Sequence, residues 1–443
     1  MSTMVRTKLS LVLATSACLM LAACSGGKSA TEQPRLGEES DTASSPEAAG
    51  SGGTIAHWQH HSDARAALVK DFAKGFEGDT EADIDFQSIP YESYFQKLGA
   101  ALEAGNGPCV FQVPANILAE FGERGDLAAV PEDVMSPDEI EEAFTPASTR
   151  LLQREGQYYA LPTDVQTLLL FYNDDLFREA GLDPTQDFET WEELRQAAIQ
   201  LTELNGDQMT QAGLDISASP YQWYYSAPTL AYPDGQIADD TLDVNYDSEP
   251  GYQVWERLTG LVTEDAVDSP EFLAEQSKFA IGKAGMTFKE YTFTGVYNLT
   301  APDLNFSVHV APPVSDTVSA PVATTSWAYA VSKECENPDA AWEWVEFLTS
   351  EESQRTWVAE GGELPSRTAL LSDESLQEDP NVAAGFASLD GAVPYDSMGW
   401  DDAFAIQQQV WDEIVLDDQD VQSAVDSGAD EERALYKRKG LIE

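Results

Sequence analysis

The chain alternates short apolar runs with helical patterns from Thr54 onwards, and this alternation restricts its fold more than any other feature. A helix that can be capped by Ser62 follows the first apolar run, and its apolar residues recur every four positions. The order is strand 55–58, a helix reaching Phe76, strand 84–86, helix 91–103 and strand 110–113. Three strands separated by two helices predict a parallel α/β sheet with helices on its faces.

The same pattern returns further along the chain. Leu168–Tyr172 is a continuous apolar run, which is typical of a strand buried on both faces. Thr190 and Glu193 form a capping box that predicts the start of another helix. A strand at 327–331 and helices after Pro338 and from about Phe404 complete the pattern. About 390 residues follow residue 53, more than one hydrophobic core usually serves, so two domains are expected.

The N-terminus has the pattern of an export signal. Arg6 and Lys8 precede the apolar run 9–23, which is too short and too rich in small residues for a comfortable membrane span. Leu21-Ala22-Ala23-Cys24 resembles the lipobox of bacterial lipoproteins. We therefore expect residues 1–23 to be removed and Cys24 to carry lipid that anchors the protein to the outer face of the cell membrane. The alternative is an ordinary signal peptide that contains a cysteine.

Residues 24–53 are rich in Ser, Gly, Ala, Glu and Pro and have almost no large apolar side chains. Such a composition cannot bury enough surface to order itself, so we interpret this segment as a flexible tether. No later stretch is apolar over the ~18 residues that a spanning helix needs.

The charge of the chain is strongly negative, with 78 Asp and Glu against 24 Lys and Arg. A surface of this sign repels phosphate backbones, which argues against any nucleic-acid partner. The sequence contains no phosphate-binding loop, nucleophile elbow or His-Glu-x-x-His motif, and no cofactor is expected.

The string His57-Trp58-Gln59-His60-His61 suggests zinc, since histidines are suitable ligands. Strand alternation sends His57 away from its neighbours, however, and no cysteine or carboxylate stands beside them. The acidic stretch 234–247 lacks the loop pattern of a calcium site. We therefore expect no metal.

Several stretches resemble the extracellular solute-binding proteins of bacterial ABC sugar importers, the group that includes maltose-binding protein. They are LEAGNGPCVFQ (102–112), YALPTD (159–164), LFYNDDLF (170–177), TWEEL (190–194), GKAGM (282–286), AYAVSK (328–333), NPDAAWEW (337–344) and LPSR (364–367). Cys109 stands where that family typically has aspartate. The likeness spans nearly all of residues 54–440, and the order and spacing of the stretches carry it.

The resemblance implies an α/β, two-lobed periplasmic-binding-protein-like fold. Each lobe would be a mainly parallel sheet flanked by helices, and crossover hinge strands near residues 162–165, 326–329 and after 365 would join the two. The first lobe would hold residues 54–162 and 328–366, and the second 163–327 and 367–443.

The same resemblance implies a monomeric receptor with no enzymatic activity. It would capture a small solute by hinge closure, here an uncharged mono- or oligosaccharide, and deliver it to the permease subunits of an ABC importer. A polyol, glycerol phosphate or peptide ligand remains open, and a secreted glycosidase is a less favoured alternative.

Loops that follow strands are expected to line the ligand cleft, because ligands bind beyond the carboxyl ends of strands in open parallel sheets. Aromatic faces pack on the C–H faces of a sugar, and polar groups bind its hydroxyls; the alternative for each aromatic residue is a place in the core. The candidate residues are Trp58, His60, His61, Tyr91, Gln112, Asn116, Asp164, Trp223, Tyr224, Glu290, Tyr291 and Trp327.

Cys109 and Cys335 are the cysteines that remain after Cys18 is lost and Cys24 is modified. The resemblance places the strands next to them antiparallel and close together in one lobe, away from the cleft. It therefore implies a disulfide, which an extracytoplasmic compartment permits. Two buried free thiols are the alternative.

Overall fold

A computed structural model describes residues 53–80, 82–217, 244, 246–274, 276–314, 323–389, 393–394 and 400–439. Its strands are β1 Thr54–His60, β2 Asp83–Ile89, β3 Val110–Pro114, β4 Gln153–Arg154, β5 Gln157–Tyr158, β6 Ala160–Asn173, β7 Glu203–Asn205, β8 Gln208–Asp215, β9 Ala284–Glu290, β10 Phe306–Val310, β11 Ala323–Val331, β12 Leu364–Pro365 and β13 Val393–Pro394.

The α-helices alternate with these strands, as the sequence pattern predicts. They are α1 Asp63–Asp79, α2 Tyr91–Glu103, α3 Leu118–Arg124, α4 Pro137–Ala143, α5 Pro146–Thr149, α6 Asp174–Ala180, α7 Trp191–Leu201, α8 Glu249–Thr263, α9 Phe293–Thr300, α10 Pro338–Leu348, α11 Glu351–Thr356, α12 Thr368–Leu371, α13 Pro380–Ser388, α14 Trp400–Val415 and α15 Val421–Arg438. A π-helix spans Trp357–Gly361.

Local signals explain where several helices begin. The capping box before α7 is confirmed: Glu193 N–H donates to Thr190 Oγ1 at 3.2 Å, and Thr190 N–H donates to a Glu193 carboxylate oxygen at 3.3 Å. Pro338 is the first residue of α10. A backbone N–H at that position has no acceptor within the helix, so proline breaks no helical hydrogen bond there. Ser62 precedes α1 as expected, but its side chain makes no capping hydrogen bond.

The first lobe is built on the strand order β2-β1-β3-β11-β6. β1 is parallel to β2 and β3, whereas β11 is antiparallel to β3 and to β6. The parallel sheet predicted from residues 55–113 is thus present, and two long antiparallel strands extend it towards the second lobe.

The second lobe uses the far half of β6, which pairs antiparallel with both β9 and β10. β8 is parallel to β9, and β7 is antiparallel to β8. Along the strand order of the first lobe, two parallel pairings are followed by two antiparallel ones, and the second lobe also has a mixed sheet. All fourteen residues of β6 are buried.

Each lobe has its own hydrophobic core. One core draws its buried residues from 55–161 and 328–357, and the other from 168–311 and 406–436. A smaller core between residues 169 and 386 adjoins β6 and β12. The lobe boundaries given above remain a prediction.

A disulfide joins Cys109 and Cys335 in the first lobe, with their Cα atoms 4.6 Å apart. Cys109 comes directly before β3, and Cys335 lies in the turn after β11. The N–H of Ser332 donates to the carbonyl of Cys109 at 2.8 Å, so the antiparallel pairing of the two strands brings the cysteines together.

We predict that Cys109→Ser combined with Cys335→Ser lowers the free energy of unfolding by roughly 2–5 kcal/mol, because the bond closes a long loop in the unfolded chain. Urea denaturation of the oxidised wild type and the double variant measures this. A reducing agent should destabilise the wild type by a similar amount and leave the double variant unchanged. Equal stability of the two oxidised proteins would contradict the prediction.

Candidate functional site

The carboxyl ends of β1, β2 and β3 lie at one edge of the sheet, because β1 is parallel to both neighbours. His60 is the last residue of β1, and Tyr91 begins α2 two residues after β2. Trp327 of β11 is paired with Pro114, the last residue of β3. Three predicted site residues are therefore brought to the edge where open α/β sheets bind ligands.

An aromatic group, defined here as His60, Tyr91, Phe95 and Trp327, occupies this edge. The ring centroid of His60 lies 4.4 Å from that of Trp327 and 5.6 Å from that of Tyr91. Phe95 stacks on Trp327 at 6.3 Å and meets Tyr91 edge-on at 5.7 Å. Tyr91 is exposed and the other three side chains are partly exposed, so the group presents accessible ring surface.

Polar atoms without partners adjoin this group. Gln112 of β3 is fully buried, and neither of its amide atoms has a hydrogen-bond partner in the described part of the chain. Nδ1 of His60 is also buried and has no hydrogen-bond partner among the described residues. The Gln112 side chain lies beside the His60 ring, close enough to influence its pKa. A buried polar group without a hydrogen-bond partner destabilises the folded protein by about 1–3 kcal/mol. Hydroxyl groups of a bound molecule would therefore be favoured partners for these atoms.

The His60 ring is neutral. Burial, together with the nearby positive charge of Arg65, lowers the pKa of His60 to about 3. A neutral imidazole has one donor and one acceptor nitrogen, which suits a hydroxyl better than an anion.

A hinge cluster, defined here as Arg65, Asp164, Gln166, Thr292 and Glu363, lies beside the aromatic group. Nε of Arg65 donates to Glu363 Oε1 at 3.1 Å, and its Nη2 forms an ion pair with the same oxygen and lies 3.7 Å from Asp164 Oδ2. Gln166 Nε2 bridges the carboxylates, at 2.7 Å from Asp164 Oδ2 and 2.5 Å from Glu363 Oε2. Its Oε1 accepts from the Thr292 N–H at 3.2 Å.

The hinge cluster is connected to the aromatic group through the backbone. Asp164 and Trp327 are paired in the β6–β11 register. Thr163 Oγ1 lies 2.5 Å from Asp164 Oδ1 and 3.0 Å from the Trp327 carbonyl oxygen. The cluster therefore fixes the strand segment that carries the Trp327 ring.

Two carboxylates share one guanidinium in this cluster, and all three groups are almost fully buried. Burial raises the pKa of Glu363 to about 8; the charge of Arg65 opposes that rise and the charge of Asp164 adds to it. The Arg65 guanidinium thus offsets part of the cost of burying the two carboxyl groups.

Three other predicted residues lie near the same strands but outside the aromatic group. Trp58 is partly buried, with Nζ of Lys97 4.5 Å from its ring centroid. His61 is exposed, and its Nδ1 lies 2.7 Å from Ser88 Oγ. Asn116 is 5% exposed in the short 3-10 helix after β3.

Two predicted residues of the second lobe that the structure describes, Glu290 and Tyr291, lie at the end of β9 and directly after it. Glu290 is the last residue of β9 rather than a loop residue, and it is partly buried. Tyr291 is 3% exposed in a hydrophobic core, where it packs with Leu364 against Gly385. Its place in the core follows from this packing, which the sequence did not reveal. Trp223 and Tyr224 lie outside the described residues.

His57 points to the opposite face of β1 from His60. Its Nδ1 accepts from Trp344 Nε1 at 3.1 Å, and burial lowers its pKa to about 3. Among the described residues, no three His, Cys, Asp or Glu side chains are grouped so as to hold a metal ion.

Phe95, Arg65 and Glu363 were missed by the sequence reasoning. Phe95 lies one turn after Tyr91 in α2, and this spacing could have placed it beside that residue. Arg65 and Glu363 are 298 residues apart, and no local pattern relates them.

The sequence and fold of this chain are similar to those of known proteins. A family model described as bacterial extracellular solute-binding protein matches residues 67–384, more than half of the chain. The chain belongs to this family. The family's description implies that this solute-binding protein works outside the cytoplasm.

Sequence and structure relatives agree with this membership. The galactooligosaccharide-binding protein of Bacillus subtilis is 22% identical over 328 residues, which cover 70% of this chain and 72% of the relative. The crystal structure of an ABC transporter solute-binding protein from Thermotoga lettingae, bound with α-D-tagatose, has a TM-score of 0.72 at 22% identity and covers 86% of this chain and 98% of that one. A Listeria monocytogenes ABC substrate-binding protein in complex with cycloalternan has a TM-score of 0.73 at 20% identity, covering 87% and 99%.

The structural likeness shows the two-lobed fold of periplasmic solute-binding proteins. Within the residues that the structure describes, none of the helices combines the length and apolar character that crossing a bilayer requires.

We predict that Glu363 lowers the stability of the solute-binding protein as the pH rises. Because its pKa increases on folding from 4.5 to about 8, its contribution is fully present below about pH 4.5 and is lost as the pH passes through about 8. Glu363→Gln should therefore become increasingly stable relative to the wild type over this range, as measured by urea denaturation at several pH values.

Glu360→Gln is the control, since Glu360 is exposed on the same segment. Its stability should follow that of the wild type throughout. A constant difference between Glu363→Gln and the wild type at every pH would refute the prediction.

Proposed function

We propose that this protein is the substrate receptor of an ABC importer. It captures an uncharged sugar between its lobes and does not chemically modify it. The observation that supports this best is the aromatic group with the unpartnered polar atoms of Gln112 and His60 beside it. Oligosaccharides and a ketose are the ligands named for the relatives above, and the same class of ligand suits this surface.

The chemistry of a pyranose matches this surface in two ways. Its C–H faces pack on aromatic rings such as Trp327 and Phe95, and its hydroxyls act as both donors and acceptors. The amide of Gln112 and the neutral ring of His60 offer both roles at a buried position. A ligand that forms hydrogen bonds with these atoms offsets the free-energy cost of burying them. A ligand that lacks such groups would bind more weakly, so the contact also gives specificity.

An uncharged ligand is favoured over a phosphate or carboxylate. The positive charge of the Arg65 guanidinium is offset by the adjacent carboxyl groups of Glu363 and Asp164, although its Nη1 has no hydrogen-bond partner among the described residues. His60 is neutral, as its lowered pKa indicates. Anion recognition relies on bidentate arginines or several cationic donors, which argues against glycerol phosphate.

Catalysis is not part of the proposal, because the family consists of binding proteins. A glycosidase would need two carboxyl groups about 5 to 9 Å apart across the sugar. Asp164 and Glu363 are joined instead through Gln166 and Arg65 inside the hinge cluster. Incubation with oligosaccharides should give no hydrolysis products.

We predict that neutral sugars raise the melting temperature, since a ligand of the folded state stabilises it. The screen should include α-D-tagatose, maltotriose and galactooligosaccharides, with glycerol 3-phosphate and a uronic acid as charged comparisons. Trp327→Ala should weaken the binding of any sugar found by roughly tenfold or more, measured by calorimetric titration.

Phe347→Ala is the matched control, because Phe347 is a partly buried aromatic residue that packs on Phe76 and Trp344 at a distance from the aromatic group. The Phe347→Ala variant should be less stable than the wild type but bind the sugar with unchanged affinity. Binding of anions alone, or unchanged sugar affinity in Trp327→Ala, would overturn the proposal.

The lipid anchor at Cys24 belongs to the proposal as well, and the lipobox-like string 21–24 supports it. We predict that mass analysis of the membrane-bound protein finds an N-terminal, lipid-modified Cys24. Cys24→Ser should shift the protein from the membrane fraction to the soluble extracytoplasmic fraction. Unmodified Cys24 in protein that stays membrane-bound would rule the anchor out.

A further inference from the structure

The strands β1 and β3 diverge at the edge of the sheet that carries the aromatic group. Their pairing with each other ends at Trp58 and Phe111. β1 continues to His60, where it is still paired with β2, and β3 continues to Pro114, where it is still paired with β11. Each strand end is therefore fixed to its outer neighbour, and the two ends lie side by side without a ladder between them.

The order of the strands explains why a ligand would bind at this place. The chain passes from β1 through α1 to β2 on one side, and α2 brings it back to β3 on the other side of β1. After β3 it continues through α3, and Leu127 then pairs with Ser332 beyond the end of β11. Such a reversal of strand order leaves a crevice beyond the carboxyl ends of the two strands, where open α/β sheets bind their ligands.

Tyr94 of α2 lies at the base of this crevice. Its side chain is fully buried, and its hydroxyl donates to the carbonyl oxygen of Gln112 at 2.6 Å and to that of Trp58 at 3.1 Å. One carbonyl belongs to β3 and the other to β1, at the point where the pairing of these strands ends. Burial raises the pKa of Tyr94 well above its usual value, so the hydroxyl keeps the proton that it donates.

We propose that Tyr94 is a positioning residue of the sugar site. Its hydroxyl sets the spacing of the ends of β1 and β3, and with it the placement of His60 and Gln112. The effect on sugar affinity rests on the proposed function, whereas the effect on the position of His60 needs no ligand.

The two side chains that Tyr94 would place are the ones whose polar atoms are buried and have no partner among the described residues. His60 follows Trp58 by two residues, and Gln112 carries one of the two bridged carbonyl groups. Both side chains therefore project from backbone that the Tyr94 hydroxyl holds. Hydrogen bonds weaken steeply as their distance and angle depart from the optimum, so a change in the spacing of the strands would weaken those to a sugar.

Tyr94 also links these strands to the aromatic group. It lies in α2 between Tyr91 and Phe95, and its ring centroid is 6.3 Å from that of His60 and 5.1 Å from that of Phe95. Phenylalanine at this position would keep both ring contacts. Tyr94→Phe therefore isolates the contribution of the hydroxyl.

The first measurement is made without a ligand. The protein is labelled with ¹³C and ¹⁵N at its four histidines, and the ring signal of His60 is assigned from its loss in His60→Gln. This signal depends on position, because the His60 ring centroid lies 4.4 Å from that of Trp327. We expect Tyr94→Phe to shift the His60 signal. Tyr94→4-aminophenylalanine keeps a donor at the same place and should restore the wild-type signal.

The second measurement is calorimetric titration with α-D-tagatose, maltotriose and galactooligosaccharides. Tyr94→Phe should weaken the binding of any of these sugars that the wild type binds by about three- to tenfold. Tyr436→Phe is the matched control, because the buried Tyr436 hydroxyl donates to Glu432 Oε1 at 2.6 Å in the second lobe. Both variants should lose similar thermal stability, but Tyr436→Phe should keep the wild-type His60 signal and sugar affinity.

An unshifted His60 signal in Tyr94→Phe would overturn the inference. Wild-type sugar affinity in that variant, or an equal loss of affinity in Tyr436→Phe, would do so as well. A wild type that binds none of the sugars would refute the proposed function instead, and the His60 signal would still decide whether Tyr94 positions that residue.

Discussion

The antiparallel pair of β6 and β11 is the constraint on which the rest of the structure depends. β11 pairs with β6 from Thr324–Thr167 to Ala330–Ala160, with a register shift between Trp327 and Ala328. The near half of β6 completes the first lobe's sheet, and its far half begins the second. β6 is buried along its whole length and carries the polar residues Thr163, Asp164, Gln166 and Thr167 at its centre, so these side chains need partners inside the protein. Arg65, Glu363 and Thr292 supply most of them, which is why the hinge cluster lies where the lobes meet.

Local signals were sufficient for much of the fold. Helix 91–103 was predicted with its exact bounds, because an apolar stripe and the flanking prolines and glycines mark it. The strand at 168–172 was recognised, but β6 begins eight residues earlier. Its polar centre interrupts the apolar run, so the sequence pattern does not extend through it. The antiparallel strand pairs of the second lobe could not be predicted from local sequence patterns either, because strand register depends on contacts between distant segments.

The candidate site was predictable in part for the same reason. His60, Tyr91 and Trp327 come together because the sheet topology places the segments that carry them at one edge, and the sequence predicted that loops after parallel strands line the site. Whether an aromatic side chain faces a cleft or a core is decided by packing, as Tyr291 illustrates. Charge networks between distant residues leave no mark in a single sequence, so the contact between Arg65 and Glu363 required coordinates.

The order of segments in the first lobe governs how this protein can be made. β3 is complete early in synthesis, but its sheet neighbour β11 follows only after a large part of the second lobe, and Cys335 comes 226 residues after its disulfide partner Cys109. A lobe whose central strand arrives so late cannot close while the chain is still emerging, and its non-local pairing makes folding slow. Slow closure of the first lobe would keep the nascent chain extended, as passage across a membrane requires, and its disulfide would form in an oxidising compartment.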